Sequence, residues 1–432
     1  MKGSLKSRIG VAADDITGSN DVGVMFAKNG YRVKVISLVD KPCDRDFEDC
    51  DVLVINTSSR LDSAREAYRK TAEAVGLLKK ADPRLLYIKT CSVFRGNIGA
   101  SFDAAQDVLG AKTSMVVAAF PANGRTTEMG VHLLNGIPVA QTQFARDPVT
   151  PLRFSRLDEL IGEQSLRSCT CFTYDLYAEN DKQTLSDLRQ GTAYVIFDAR
   201  TQKELRHVAE LIADEPLICG SSAICEELPK VWGEASEPLK YCPPSGLAAG
   251  AVVFAGSLTR ETAGQVRYLI DRGICGERLR SCRLFTEEGR AEETQRVFEA
   301  CASRLARGED VLIHTVRDFE NKSAARCECG IDDIEAGRRI SLAFQMLARR
   351  FSTQAGISRF VVAGGETSDA VGRGLGLREM RIWQEIESGV PLMSATRPGG
   401  GEYALVFKSG SFGSEDFLSR ALAYTTFCDE NT

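Results

Sequence analysis

Two glycine-rich turns that carry hydroxyl groups stand out in the C-terminal half of the chain. Gly364–Ser368 follows the apolar run Phe360–Ala363, and Lys408–Gly413 lies further along. Because glycine has no side chain, backbone N–H groups in such turns can close around an anion, and the hydroxyl groups add donors beside them. A single Gly-Gly turn after a buried strand is common without any ligand. Two such turns, one with a lysine, favour a phosphate-binding site.

Polar segments directly follow several apolar runs in the N-terminal half. These segments are Asp14–Asp21, Asn56–Arg60, Lys89–Asn97 and Pro121–Thr127. In open α/β sheets, ligands bind beyond the carboxyl ends of the strands. If the apolar runs are parallel strands, the four segments are predicted to converge on one pocket.

Basic side chains recur in three of these segments, at Arg60, Lys89, Arg95 and Arg125. A guanidinium group binds a carboxylate or a phosphate through paired hydrogen bonds. The alternative is that each side chain is a surface residue paired with a local acid. Their repetition at strand ends favours a site for a carboxylate or a phosphate.

Asp14 and Asp15 supply the acidic groups of this predicted site. Successive side chains of a strand point to opposite faces, so the two carboxylates are not expected to enter one pocket together. We expect one of them to accept a hydroxyl proton or hold a metal ion. The other is expected to cap the helix that starts near Thr17. A purely structural role for both is an open alternative.

Continuous apolar runs alternate with helical patterns over the first half of the chain. Runs of this kind are typical of strands buried on both faces of a parallel sheet. They are Ile9–Ala13, Val33–Val39, Val52–Asn56, Leu85–Ile88, Met115–Ala119 and Tyr194–Asp198. The capping box Ser63–Glu66 predicts a helix with one buried stripe. The members of that stripe are Ala64, Ala67, Thr71, Ala74, Val75 and Leu78.

The alternation pauses in a polar stretch that contains Pro243–Leu247 and restarts after it. The later predicted strands are Ala251–Ala255, Val311–Thr315, Phe360–Ala363 and Ala404–Lys408, with helices near Arg260–Arg272 and within Ile331–Phe351. A chain of 432 residues is too long for one core. The sequence therefore predicts an α/β protein of two doubly wound domains with a ligand cleft between them, covering 1–235 and 251–432, with a linker over 236–250.

Composition excludes several classes of protein. A formal net charge of -5 argues against a nucleic-acid-binding surface. No apolar run is long enough to predict a membrane span, and the basic segment Met1–Arg8, with no long apolar stretch behind it, is not expected to be a signal peptide. Its 14 cysteines have no regular spacing, which is typical of a reducing compartment, so a cytoplasmic location is predicted. Cys169-x-Cys171 and Cys327-x-Cys329 lack zinc-site spacing, and a structural metal is not expected.

The polar segments also resemble the motifs of a known family. The matching motifs are Ala13–Gly18, Ser92–Asn97, Phe120–Thr127, Gly256–Ser257, Gly364–Ser368 and Lys408–Gly413. They are similar, in order, to those of the four-carbon acid sugar kinase family, over about Ile9 to Phe417. Members pair an N-terminal substrate domain with a C-terminal nucleotide domain and phosphorylate threonate, erythronate or 3-oxo-tetronate.

The resemblance implies an ATP-dependent kinase that transfers phosphate to the terminal hydroxyl group, with Asp14 or Asp15 as the catalytic group. Together with the strand-end argument, it gives the predicted acid-binding residues as Asp14, Arg60, Lys89, Thr90, Cys91, Ser92, Arg95 and Arg125. The predicted nucleotide-binding residues are Ser257, Gly364, Gly365, Glu366, Thr367, Lys408, Ser409, Gly410 and Ser411. ATP and Mg²⁺ are the expected cofactors; Glu366 is a candidate metal ligand only through its place in the nucleotide turn. The expected partners are the sugar acid and ATP, without nucleic acid or membrane, and a homodimer is compatible with the sequence.

The Lys89–Asn97 segment, in the turn after the fourth predicted strand, differs here from the family pattern. Many relatives have Asp, Thr and Leu where this chain has Cys91, Val93 and Phe94. The change removes a carboxylate and a hydroxyl group near the expected substrate, so the acid itself stays open. Cys91 is either a thiol of lowered pKa beside basic groups or a small packing residue.

Two other classes of function fit the sequence less well. A binding protein without catalysis would keep the nucleotide turns and could lose the acid after the first strand, yet both aspartates are present. A nicotinamide dehydrogenase would need Gly-x-Gly-x-x-Gly after that strand, whereas Asp14–Gly18 stands there.

Overall fold

A computed structural model describes residues 6–42, 44–147, 149–177, 181–241, 250–315 and 333–426. The chain forms two compact units, Met1–Leu239 and Lys240–Thr432. Most of the predicted linker and the Cys327-x-Cys329 pair lie outside the described residues, so the linker and the predicted domain limits stay predictions. Within the described ranges, every helix is too short or too polar to span a bilayer.

The first unit contains one large parallel sheet and a small antiparallel one. The strands are β1 (Ile9–Ala13), β2 (Val33–Ser37), β3 (Val52–Asn56), β4 (Leu85–Lys89), β5 (Ser114–Val117), β6 (Arg125–Glu128), β7 (Val131–Leu134), β8 (Ile137–Pro138), β9 (Cys169–Phe172), β10 (Tyr194–Phe197) and β11 (Leu217–Gly220). The large sheet has the order β2-β3-β1-β4-β11-β5-β10-β9, and β6-β7-β8 form the small sheet. The α/β fold class is confirmed.

Helices cover the faces of the large sheet. They are α1 (Ile16–Ala27), α2 (Ala64–Lys79), α3 (Ile98–Leu109), α4 (Leu157–Gly162), α5 (Asp181–Leu188), α6 (Gln202–Ile212) and α7 (Ile224–Val231). Helix α1 packs against α7, and α2 packs against α3. Because the chain runs from β1 through β2 to β3 on one side and later places β4 on the other, the strand order reverses at β1. The carboxyl ends of β1 and β4 therefore flank the expected ligand-binding crevice.

Helix α2 tests the helix prediction directly. Ser63 Oγ accepts a hydrogen bond from Glu66 N at 3.3 Å, as a cap should. The predicted stripe is buried except at Ala64, which is exposed. Ala64 is the first residue of the helix, before the turn that reaches the sheet, so its prediction as buried is wrong.

The second unit has a mixed sheet. Its strands are β12 (Val252–Ala255), β13 (Cys275–Arg278), β14 (Val311–His314), β15 (Arg359–Ala363), β16 (Glu379–Glu387), β17 (Val390–Thr396) and β18 (Glu402–Lys408), in the order β13-β14-β12-β15-β18-β17-β16. Strand β17 pairs antiparallel with both β16 and β18, whereas the other pairs are parallel. The antiparallel hairpin was not predicted.

The structure describes five α-helices in the second unit. They are α8 (Arg260–Asp271), α9 (Glu287–Leu305), α10 (Asp333–Gln354), α11 (Gly365–Leu375) and α12 (Phe417–Tyr424). Strand β12 lies between β14 and β15, so the strand order reverses here as it does in the first unit. The turns after β12 and β15 therefore meet at a second position where ligands commonly bind.

Candidate active site

The ends of β1 and β3 are joined by one arginine. Arg60 donates from Nε to Asp14 Oδ2 at 2.9 Å and from Nη2 to Asp14 Oδ1 at 2.6 Å. Its Nη1 and Nη2 donate to Asp15 Oδ2 and Oδ1 at 2.5 and 2.8 Å. The prediction that the two aspartates diverge is therefore wrong. Strand alternation ends at Ala13, and the chain bends into a helix cap at Asp15, so both carboxylates turn to the same side.

Asp15 also has the predicted capping role. It is the N-cap of α1 and accepts hydrogen bonds from Gly18 N at 2.7 Å and Thr17 Oγ1 at 2.8 Å. A Cβ atom on Gly18 would lie 2.5 Å from Asp15 Oδ1 and 3.1 Å from Lys89 Nζ. Only glycine leaves room for these two groups to approach the start of the helix.

The two carboxylates differ in proton affinity. Burial raises the pKa of Asp14, although the charge of Arg60 acts against it. Burial acts in the same direction on Asp15, but the charges of Arg60 and Lys89 and the hydrogen bonds that Asp15 accepts hold its pKa below the usual value. Environments that separate the pKa values of neighbouring acids are typical of acid–base sites, and Asp14 is the more basic of this pair.

The end of β4 joins the same cluster through a buried lysine. Lys89 Nζ lies 3.2 Å from Asp21 Oδ2, and both side chains are almost fully buried. Nζ also donates to the carbonyl oxygen of Thr90 at 3.1 Å. The backbone adds a second link, because Asp14 N donates to Lys89 O at 3.2 Å. The ends of β1, β3 and β4 thus meet, as the strand-end argument predicted.

The turn after β4 places Cys91 between two guanidinium groups. Burial acts to raise the pKa of Cys91, but the charges of Arg60 and Arg95 outweigh it, so the pKa is lowered. Arg95 itself pairs with Asp147. The turn is fixed by Asn97, whose Nδ2 donates to the carbonyl oxygen atoms of residues 59, 60 and 62 at 3.1, 3.3 and 2.9 Å.

Arg125 is the remaining basic residue of the predicted site. It begins β6 in the small sheet and donates through Nη1 to the carbonyl oxygen of Asn123. Strand β11 lies between β4 and β5, yet the small sheet reaches the turn after β4, because His132 Nε2 in β7 lies 2.8 Å from the carbonyl oxygen of Ser92. The structure therefore brings together Asp14, Asp15, Arg60 and Lys89, with Cys91 beside them. A place for Arg125 in the same site stays a prediction.

The three turns of the second unit that hold the predicted nucleotide-binding residues converge. Gly256 N and Ser257 N both donate to Ala363 O at 3.2 Å, and Gly364 N donates to Lys408 O at 2.9 Å. A Cβ atom on Gly410 would lie 2.0 Å from Ser257 Oγ. The turns after β12, β15 and β18 are therefore in direct contact, and only glycine fits at the closest approach.

Helix α11 begins at this junction. Its N-cap is Gly364, with φ 124, and no side chain caps the helix there. The first N–H groups of a helix lack partners within it and attract anions. Thr367 lies in this first turn, and its Oγ1 would be 3.0 Å from a Cβ atom on Gly364. The arrangement can accept a phosphate group through backbone N–H donors.

Lys408 is buried beneath the turns. Its Nζ donates to Thr262 Oγ1 at 3.2 Å, Ser409 O at 2.9 Å and Gly410 O at 3.2 Å. Burial lowers the pKa of Lys408 to about 7. The Lys408 side chain therefore stabilises the turn after β18 from its buried side.

Several residues of these sites were not singled out from the sequence. Residues 149–154 are among them and form one wall of a cavity of about 320 Å³ that Arg60 and Asn97 also line. No apolar pattern or motif marked that wall. Asp21 could have been found from its position one helical turn after Thr17 on the same face. Among the described residues, no group of three His, Cys, Asp or Glu side chains is arranged to hold a metal ion.

Family models match both halves of the chain. Residues 9–228 match a sugar-binding N-terminal domain, and residues 252–418 match a nucleotide-binding C-terminal domain. Near-full-length similarity to curated sugar-acid kinases accompanies these matches. The chain belongs to the four-carbon acid sugar kinase family.

Individual members of this family are similar along almost their whole length. A D-threonate kinase of Salmonella typhimurium is 31% identical, with 96% of this chain and 97% of that protein covered. A 3-oxo-tetronate kinase of Cupriavidus necator is 32% identical, with 96% of each covered. A solved structure from Salmonella typhimurium LT2, described as a tRNA synthase, has a TM-score of 0.82 at 28% identity and covers 97% of this chain and 100% of its own.

Proposed function

We propose that this member of the four-carbon acid sugar kinase family transfers the γ-phosphate of ATP to the terminal hydroxyl group of a four-carbon sugar acid such as threonate, erythronate or 3-oxo-tetronate. One observation carries the proposal. Each unit has its polar cluster where its strand order reverses: a carboxylate and cation cluster in the first, and uncapped glycine turns in the second. These are the two kinds of site that phosphoryl transfer to an alcohol requires.

In the first unit, the acid is proposed to bind beside Asp14. Lys89 and the turn of residues 90–92 supply positive charge and donors for its carboxylate. The hydroxyl group of Ser92, whose carbonyl oxygen lies 2.8 Å from His132 Nε2, is a further donor in this turn. Asp14 orients or deprotonates the reacting hydroxyl group, because its raised pKa makes it the better base of the aspartate pair. Arg60 holds Asp14 in place, and its charge favours the ionised form and so opposes the effect of burial on the pKa of Asp14.

In the second unit, backbone N–H groups of the Gly364 and Gly410 turns are proposed to bind the phosphates. Mg²⁺ would neutralise the charge of the triphosphate. This ion keeps several water molecules and needs only one or two protein carboxylates beside the phosphates, so the lack of a three-residue cluster in the described residues fits its usual mode of binding. Glu366, in the first turn of α11, has the right donor chemistry.

Purified protein with ATP, Mg²⁺ and a panel of tetronates tests this function. We expect ADP release to depend on one four-carbon acid and a phosphorylated acid to appear in equal amount. Binding of ATP and of an acid, without turnover of any panel member, would favour a catalytically silent binding protein. Binding of neither ligand would overturn the proposal.

Substitution of Arg60 by Ala tests the first unit. We expect KM for the acid to rise by roughly ten- to a hundredfold, the effect of about 1.5 to 3 kcal/mol, with KM for ATP nearly unchanged. Loss of the guanidinium charge also raises the pKa of Asp14 further, so the acidic limb of the pH–rate profile should move to higher pH. Steady-state kinetics over a pH series measure both effects.

Arg32→Ala is the matched control. Arg32 makes the same kind of paired contact, with Asp51, at the amino ends of the strands of the same sheet, whereas Arg60 lies at their carboxyl ends. The Arg32→Ala variant should have unchanged KM values for both the acid and ATP. Equal damage to both KM values by Arg60→Ala would show that Arg60 supports the fold instead.

A further inference from the structure

One backbone carbonyl group in the nucleotide turns accepts an unusual number of hydrogen bonds. Gly410 O accepts from Thr259 Oγ1 at 2.6 Å, from Thr262 Oγ1 at 2.9 Å and from Lys408 Nζ at 3.2 Å. The preceding carbonyl, Ser409 O, also accepts from Lys408 Nζ at 2.9 Å. Two successive carbonyl groups therefore point inward, toward the same ammonium group.

The direction of these carbonyl groups determines the direction of two N–H groups. In a trans peptide, the C=O and the following N–H point in opposite directions, and the described chain contains no cis peptide. The N–H groups of Gly410 and Ser411 must therefore point away from Lys408. Neither donates a hydrogen bond within the described residues. Successive N–H groups on one side of a turn form an anion-binding concavity.

The ammonium group of Lys408 has no hydrogen left for a ligand. A lysine has three N–H donors, and Nζ already contacts three oxygen acceptors: Thr262 Oγ1, Ser409 O and Gly410 O. Its side chain is 1% exposed. A phosphate group at the surface of the turn would meet backbone N–H groups and not this ammonium group.

We propose that Lys408, Thr259 and Thr262 are positioning residues, which pull two carbonyl groups inward so that the N–H groups of Gly410 and Ser411 bind a nucleotide phosphate. The inference rests on the proposed nucleotide site and changes the role of Lys408 from phosphate ligand to internal support. It also assigns a role to two threonines that lie outside the glycine-rich motifs.

Thr262→Val tests the support without removing a charge. Valine keeps the shape of threonine and removes the hydroxyl group. By calorimetry with a non-hydrolysable ATP analogue, we expect the dissociation constant to rise roughly two- to tenfold, as for the loss of one of the three hydrogen bonds that Gly410 O accepts, while KM for the acid is unchanged. The matched control is Thr294→Val in α9, whose buried hydroxyl group bonds only helix carbonyl groups. Its nucleotide affinity should equal that of the wild type.

A double-mutant cycle separates the two roles of Lys408. If Lys408 and Thr262 act through one carbonyl group, Lys408→Met and Thr262→Val should be non-additive in nucleotide affinity. Additive losses would show that Lys408 contacts the phosphate independently and would overturn the inference. Unchanged affinity in Thr262→Val, at wild-type thermal stability, would also overturn it, even if Lys408→Met does not fold. A wild-type protein that binds no nucleotide would instead contradict the proposed function itself.

Discussion

Gly364→Ala is expected to abolish measurable nucleotide binding while the first unit still binds the acid. Gly364 has φ 124, a conformation that residues with a side chain rarely adopt. A Cβ atom there would also lie 3.1 Å from Ser257 N and 3.0 Å from Thr367 Oγ1. The strain, of about 1 to 3 kcal/mol, is relieved only if the turns after β12 and β15 separate. Because those turns form the phosphate site, affinity should fall by roughly a hundredfold or more.

A second glycine, Gly399, distinguishes the effect of backbone strain on stability from the effect of altered site geometry on nucleotide binding. Gly399 has φ 97, and a Cβ atom there would meet no atom within 4 Å. Gly399→Ala should therefore lower the thermal midpoint through backbone strain alone and leave nucleotide affinity intact. Calorimetry on both variants, with melting curves, makes the comparison. Wild-type affinity in Gly364→Ala would remove the glycine turns from the nucleotide site.

Asp14→Asn is expected to lower kcat by roughly a hundredfold or more, with small changes in both KM values, because a general base or orienting group acts mainly in the transition state. The pH–rate profile of the wild-type protein should reflect the raised pKa of Asp14. Asp14 is active as a carboxylate, so activity is lost as pH falls through a pKa above the usual aspartate value, and Asn removes this limb. Rapid-mixing kinetics across the acidic range measure both effects.

The control is the same substitution, Asp to Asn, at an aspartate outside the proposed site. Asp51 forms the same type of paired contact with Arg32 at the amino end of the sheet, so Asp51→Asn should leave kcat intact. Asp15→Asn is informative as well, because asparagine also caps helices well and should preserve α1. If Asp14→Asn and Asp15→Asn both keep near-normal kcat at saturating substrates, neither aspartate is the base.

The sequence was most informative where strands are continuous and apolar. Val52–Asn56 and Ile9–Ala13 have the predicted limits, and the polar residues after them meet as expected. Such strands are buried on both faces, which makes their pattern unambiguous. The family motifs added the order of the two units and their expected ligands.

What the sequence could not give was side-chain direction at the strand ends. Asp14 and Asp15 leave the strand geometry, so strand alternation no longer describes them, and their shared partner Arg60 becomes visible only in three dimensions. The role of Lys408 likewise could not be predicted from the sequence. A lysine in a glycine turn resembles a phosphate ligand, but its burial and its three oxygen acceptors depend on Thr262, far away in the chain. The amphipathic strand β16 was missed although its half-buried and buried residues alternate over much of its length.

The position of β11 affects how the first unit is assembled during synthesis. This strand is the last of its sheet in the chain, yet it pairs with β4 through Leu217 and Leu86 and with β5 through Ile218 and Met115. Until the ribosome has released it, β4 and β5 each present an open edge, and the middle of the sheet is missing. The strands made first therefore cannot fold to completion by themselves. A nascent chain of this unit depends on late, long-range pairing, which is the slow step in sheets of this topology and a period in which chaperones can act.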